Sequence, residues 1–439
     1  MNELCGVAMS ARRRAGMLAL AVVAAAVGGC ADMTSRGPAS VAAVPVAAAP
    51  SAPPAVQVAV APAPPPQPAP PAPPPVLPYD EAVLSAANNL LGKAQLPDTP
   101  GVRHTIVIDP LIDGVTGAQT VATQAMGARI VELIRERYPQ YEVRPFTPGS
   151  VAQSPLVLVG TFTGVNKERK TEGERVAYRI CLGLADLKTG KLVSKGLAFA
   201  SAVGVVLTPT PHFRDAPVVA DDPATTGYIK TCQGTKAGDP INPLYVDRIL
   251  AATMISEAMD AYGAGRYKQA LSLYENVLEV PAGRQLRTYT GLYLTNWRLG
   301  RRDAAAKAFG EIVDQGLASK RLGVKFLFRP GSTAFWSDPK AGATPYPLWL
   351  STISTEAGRR QACLEVVGHT SATGPEPLNE RLSLRRAEYV KRQIEQDAPA
   401  LAQRMIASGV GSRETLVGNG RDDDSDALDR RVEFKVVGC

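Results

Sequence analysis

The chain has 439 residues, 48 Lys and Arg against 41 Asp and Glu, a formal net charge of +7 and 45% hydrophobic residues. That length and apolar content suffice for two or three globular domains. The positive excess suits contact with anionic surfaces, but no dense Lys/Arg stripe interleaved with aromatics occurs, which excludes nucleic acid as a partner.

Residues 1–30 read as a targeting segment. Arg12, Arg13 and Arg14 precede an apolar run, Met17 to Val27, too short to span a bilayer as a helix, which needs about 20 residues. The run ends in Val27-Gly28-Gly29-Cys30, which resembles the bacterial lipobox. The resemblance implies a lipoprotein signal peptide, lipidation (including palmitate) at Cys30, and a mature chain starting there, held to the membrane by acyl chains. Each buried methylene adds about 0.8 kcal/mol, so two or three chains hold durably. In that pattern an Asp directly after the lipidated Cys favours inner-membrane retention. Here Ala31 takes that place, which implies the outer membrane, periplasmic side.

Residues 31–78 are rich in Ala, Pro and Val and nearly uncharged. They cannot bury a core and read as an extended tether. At about 3.1 Å per residue, the roughly 40 residues of Gly37–Pro78 reach on the order of 120 Å.

Residues 79–241 read as an α+β domain. Asp80 caps a helix to Leu91. Thr105–Asp109 is a strand, and Gln119–Tyr138 a helix with Val121, Met126, Ile130, Leu133 and Ile134 inward. Strands follow at Tyr141–Phe146, Leu156–Thr163, Val176–Asp186 and Lys191–Ala202, the last two joined by a turn at Lys188-Thr189-Gly190-Lys191. The order is βαβ and then a meander. Val203–Asp239 reads as a long loop pinned by Cys232. Asp109 and Asp113 read as turn carboxylates.

Residues 242–320 are helical. Gly265-Arg266-Tyr267-Lys268-Gln269-Ala270 recurs 35 residues later as Gly300-Arg301-Arg302-Asp303-Ala304-Ala305. Gly265 and Gly300 fit tight turns, Ala270 and Ala305 close helix packing, and Tyr274 and Phe309 the core between repeats. The period resembles two tetratricopeptide-like units, fewer than the three or so needed to stand alone. They therefore dock on a neighbouring domain or on an extra helix at Val246–Tyr262. They offer either a concave face for a protein partner or a helical spacer.

Residues 321–439 begin with a strand, Lys325–Phe328, and a helix, Pro347–Thr355. The strand Leu364–Val367 runs into Gly368-His369-Thr370-Ser371 and a helix from Leu378 to Gln396. Thr415–Val417 and Arg431–Val437 complete a sheet. The GHT turn, the Asn379-Glu380-Arg381-Leu382-Ser383-Leu384-Arg385-Arg386-Ala387 helix and the closing Arg430-Arg431-Val432-Glu433 strand resemble the OmpA-like peptidoglycan-binding domain of porins, peptidoglycan-associated lipoproteins and flagellar stator proteins. The resemblance implies an α/β sandwich that holds the diaminopimelate of a peptide stem. An Asp after the turn takes its ammonium, and the Arg of the helix takes its carboxylate. In this chain Thr370, Ser371, Asn379 and Arg386 occupy those places. Ser371 offers a hydroxyl where the family places a carboxylate. Losing one charge-assisted hydrogen bond costs about 1.5–3 kcal/mol, or about ten- to a hundredfold in affinity. Glu376 and Asp422, Asp423 and Asp424 are nearby sources of negative charge. His369 is expected to satisfy a turn hydrogen bond.

Apart from Cys5 and Cys30, four cysteines are left, which permits three pairings. Pairing within predicted domains gives Cys181–Cys232 and Cys363–Cys439. No CxxC spacing occurs and the three histidines are scattered, so no metal site is expected. GxSxG, HExxH and phosphate-loop motifs are absent, so neither catalysis nor a cofactor is expected. The whole reads as a multidomain α+β outer-membrane lipoprotein that binds peptidoglycan non-covalently. The alternative is an envelope assembly or secretion scaffold whose last domain has lost wall binding and whose helical repeats bind a protein.

Overall fold

The computed structural model describes residues 73–97, 101–219, 222–336, 344–417, 420 and 426–439. The signal segment with Cys30, the tether up to residue 72, and Asp422, Asp423 and Asp424 lie outside the described residues.

The first domain begins with β1 (Val76–Leu77), α1 (Tyr79–Gly92), β2 (His104–Ile108), β3 (Ile112–Asp113), α2 (Val121–Arg137), β4 (Tyr141–Arg144) and α3 (Pro148–Val151). The long strands β5 (Leu156–Val165), β6 (Ala177–Asp186) and β7 (Lys191–Ser201) follow. The sheet order is β1-β7-β6-β5-β2-β4, with β3 beside β5. The meander β5–β6–β7 is antiparallel, while β2 and β4, joined through α2, pair in parallel as a crossover helix requires. Thr120 and Thr123 start α2 by exchanging side-chain to main-chain hydrogen bonds. α1 and α2 cover one face around Leu90, Ile106, Met126, Leu158 and Leu182. α1 lies so close to β7 that a Cβ at Gly196 would stand 2.0 Å from the Ala86 carbonyl oxygen.

The expected loop at Val203–Asp239 instead carries α4 (Pro211–Asp215) and α5 (Pro223–Cys232), each opened by a proline at its first position. With α6 (Pro243–Val246), α5 covers the second face of the sheet, packing Tyr228, Cys232 and Tyr245 against Val107, Val157 and Val159. Cover on both faces is why all ten residues of β5 are buried. Two smaller expectations are also corrected. Val121 is 44% exposed, because it sits at the very start of α2. The last tether residues are strand, with Val76 and Leu77 paired to Phe199 and Ala200.

Next come α7 (Ile249–Gly263), α8 (Tyr267–Val277), α9 (Leu286–Arg298) and α10 (Arg302–Ala318), each packed on its neighbour in sequence. Gly265 and Gly300 make the turns at φ +74°. Tyr274 and Phe309 are fully buried. These helices share one core with the residues that follow, running from Ile255 and Tyr274 through Phe309 to Trp349 and Phe434.

The C-terminal domain is built from β8 (Arg321–Val324), α11 (Tyr346–Arg359), β9 (Cys363–Gly368), α12 (Glu376–Asp397), β10 (Met405–Gly409) and β11 (Val432–Val437). The sheet order is β10-β9-β11-β8, with β10 parallel to β9 and the other pairs antiparallel. Two strand expectations are corrected. The first strand precedes Lys325–Phe328, whose aromatics Phe326 and Phe328 are buried in the core. Met405–Gly409, and not Thr415–Val417, pairs with β9. The first domain covers the outer edge of β8: Val218 bridges Val324, and the Val219 amide donates to the Gly323 carbonyl at 3.1 Å.

Cys363 and Cys439 are disulfide-bonded. Cys181 and Cys232 are not, which corrects the second expected pair. The Cys181 thiol is turned onto the main-chain carbonyl of Cys232, 2.9 Å away.

Candidate functional site

The site forms where β9 runs into α12. Leu364, Val366 and Val367 anchor β9 in the core. Its last residue, Gly368, lies against α12 so closely that a Cβ would stand 1.9 Å from the Ser383 carbonyl oxygen. Only glycine lets strand and helix meet there, and the chain must leave as a loop. The loop is held by its main chain: the His369 amide donates to the Arg431 carbonyl at 3.0 Å, and the Thr370 amide to the Gly411 carbonyl at 2.9 Å.

Within the loop, the hydroxyls of Ser371 and Thr373 share a hydrogen bond at 3.0 Å. Asn379 Nδ2 donates to the carbonyls of Thr373 and Gly374 at 3.2 and 3.3 Å. The inward face of α12 carries Asn379, Ser383, Arg386, Ala387, Val390 and Ile394. Arg386 thus lies two turns beyond Asn379, about 10 Å along the axis. Its guanidinium is buried, with Nε donating to the Ser332 carbonyl at 3.0 Å and Nη2 to that of Arg329 at 3.3 Å. It also sits 4.9 Å from the centre of the Phe328 ring. Thr370, Ser371 and Asn379 therefore come together in one loop, and Arg386 stands below them on the same helix face, under the 328–332 segment. The Thr370 hydroxyl is buried and has no hydrogen-bond partner among the described residues.

Behind the loop lies a charged layer. Arg431 Nε donates to Glu433 Oε1 at 2.8 Å, and Arg321 Nη2 to Glu433 Oε2 at 3.0 Å. Burial opposes the Glu433 charge, but Arg431 and Arg321 outweigh it and hold this carboxyl at about 2. His369 is fully buried beside them. Burial, reinforced by the charge of Arg431, pushes its imidazole down to about 3, so the ring is neutral. Neither ring nitrogen has a hydrogen-bond partner among the described residues; the expected turn bond is made by the His369 main-chain amide.

Glu376 does not stand in for the missing carboxylate at Ser371. It accepts from the Ser412 amide and bonds Arg413, which ties α12 to the turn after β10. Among the described residues no group of three or more His, Cys, Asp or Glu is placed to hold a metal ion. No helix among them is long and apolar enough to cross a membrane.

Comparison with known proteins places this geometry, since the OmpA family model matches residues 327–428. Those residues are an OmpA family domain. Outer membrane porin F of Pseudomonas fluorescens is 38% identical over 73 residues, 17% of this chain. The chain spans only 22% of that relative's length. Among solved structures, the peptidoglycan-associated lipoprotein from Burkholderia pseudomallei is 21% identical. It covers 28% of this chain and 92% of its own, at a TM-score of 0.23. The cell wall anchor of the T6SS from Pseudomonas aeruginosa is 19% identical, covering 29% and 94% at a TM-score of 0.23.

Two features of the C-terminal domain escaped sequence reasoning. One is the Arg431–Glu433–Arg321 layer. Its signal was there, since opposite charges two apart on a strand share a face. The other is the segment 410–417, which frames the loop. Its Leu416 and Val417 amides donate to the Asp429 carboxylate, a contact with no local sequence signature.

Proposed function

We propose that this chain binds peptidoglycan non-covalently through Thr370, Ser371, Asn379 and Arg386. In this reading it is a non-catalytic lipoprotein, anchored at Cys30 to the outer membrane, that links that membrane to the cell wall from the periplasmic side. One observation carries the reading: the buried hydroxyl of Thr370 in the OmpA family domain's loop, without a partner among the described residues. Leaving such a group unsatisfied costs about 1–3 kcal/mol, so a ligand that supplies its partner is favoured. Ser371 and Asn379 offer polar atoms beside it. Arg386 can take a carboxylate through two parallel N–H···O bonds once the 329–332 segment yields its carbonyls.

The test is co-sedimentation of the chain lacking its first 30 residues with purified peptidoglycan. The parent pellets, Arg386→Ala does not, and Ser371→Asp binds about tenfold tighter by restoring the carboxylate. If neither the parent nor Ser371→Asp pellets, wall binding is overturned. The second reading then stands, a scaffold that binds a protein partner at the helical segment. It is supported by the groove of about 450 Å³ between α10 and α11, lined by Gly310, Asp314, Thr352 and Glu356.

A further inference from the structure

The first domain lies far in sequence from the peptidoglycan site, yet it grips the segment that frames it. Residues 410–417 leave β10 and pass beside the ligand loop. At their near end the Gly411 carbonyl accepts from the Thr370 amide at 2.9 Å, and the Gly411 amide donates to Ser383 Oγ at 3.0 Å. At their far end the Glu414 carbonyl accepts from Arg431 Nη2 at 3.2 Å, and the Leu416 and Val417 amides reach Asp429.

Arg175, in the loop between β5 and β6, closes the far end from outside the OmpA family domain. Its Nη1 donates to the Leu416 carbonyl at 2.7 Å and its Nη2 to the Thr415 carbonyl at 3.0 Å. A cation thus holds the carbonyls of this stretch while an anion, Asp429, holds its amides. Charge-assisted bonds on both edges leave the main chain little freedom to rotate. Nη2 also reaches the Thr171 carbonyl at 3.0 Å, which fixes the guanidinium to its own loop. Gly164 makes room for this, since a Cβ there would stand 2.7 Å from Arg175 Cδ. The first domain is braced independently where Pro217 to Val219 run along β8. Arg175 therefore pulls against a fixed body.

We infer that Arg175 is a positioning residue for the peptidoglycan site: through it the first domain sets residues 410–417, and with them the loop that carries Thr370 and Ser371. The inference rests on the reading that this loop takes the ligand, and it gives the first domain a part in binding without contact with the wall.

The test is Arg175→Gln in the chain lacking its first 30 residues, read by amide hydrogen exchange and by peptidoglycan co-sedimentation. Exchange at Thr370 and across 410–417 rises about tenfold and wall affinity falls about tenfold, the change expected from losing one strong restraint. Arg175→Lys, which keeps the charge but not the fork, recovers part of both. Arg169→Gln alters neither, since that side chain, in the same loop, bonds the Pro74 carbonyl and stacks on the Phe199 ring of the first domain. Unchanged exchange at Thr370 in Arg175→Gln overturns the inference. If the parent does not pellet with peptidoglycan, the reading of the site has failed, and the exchange measurement alone still decides whether Arg175 sets the loop. Should Arg175→Gln fail to fold, Gly164→Ala displaces the same side chain and the same readouts decide.

Discussion

Arg431 and Lys325 are both buried cations of the last third of the chain, 1% and 5% exposed, and they are accommodated differently. Arg431 lies within the C-terminal domain and faces a full counter-charge on Glu433. Lys325 lies where that domain meets the first one. Its Nζ donates to the carbonyls of Phe213 and Arg214, 2.7 and 3.3 Å away, near the C-terminal end of α4. Burial pushes Lys325 down to about 7, with Asp215 pulling the other way. Dipoles tolerate a charge but do not cancel it. The junction can therefore shed its charge with a proton near neutral pH, whereas the Arg431–Glu433 layer keeps its charges down to strong acid.

The largest expected effect breaks the paired side. Glu433→Gln leaves Arg431 buried without its counter-charge and costs about 3–5 kcal/mol of stability in urea unfolding. A loss under 1 kcal/mol would mean the pair is not what holds Arg431. The next effect tests the unpaired side. Between pH 7 and the unfolded lysine value near 10.4, the unfolded chain holds more protons at Lys325 than the folded one. Its contribution to stability therefore rises with pH, by about 1 kcal/mol per unit. Lys325→Met removes that slope between pH 7 and 9. Parallel curves for the two proteins would put the junction's pH response elsewhere. The smallest effect concerns His369, the proton acceptor inside the paired layer. Its folded value of about 3 lies below the unfolded value near 6.5, so stability falls as pH drops through that range. His369→Gln lessens the loss between pH 6.5 and 5.5 by about 1 kcal/mol, measured by urea midpoints.

The same contrast governs what the sequence reveals. Asn379 and Arg386 are legible through the Asn379-to-Ala387 pattern that resembles the OmpA-like domain, and they share the buried face of α12 with Ala387, Val390 and Ile394. β10 is not legible: Met405-Ile406-Ala407-Ser408-Gly409 has little strand character, and its pairing depends on β9 and on Gly409 fitting against Leu384. Thr415–Val417 looks more strand-like, but its main chain is committed to Asp429 and Arg175. The helix start at Asp222-Pro223 was readable in principle, since Asp222 caps the Thr225 amide at 2.8 Å, yet a ten-residue helix amid prolines and aspartates reads as loop. Lys325 and Arg175 gave no signal. Their partners lie 112 and 241 residues away, and no local pattern encodes a meeting at that distance.

The loop that carries Thr370 and Ser371 hangs from one end of β9, and the other end of β9 is bonded through Cys363 to Cys439. β9 is flanked by β10 on one side and β11 on the other. A pull on the loop along this strand loads the hydrogen bonds to both neighbours together, in shear, and not one after another as in unzipping. The Cys363–Cys439 bond keeps the β11 tail from peeling away at the far end. The strand is clamped on both sides and at its base, so the weakest link under tension is the loop and not the sheet.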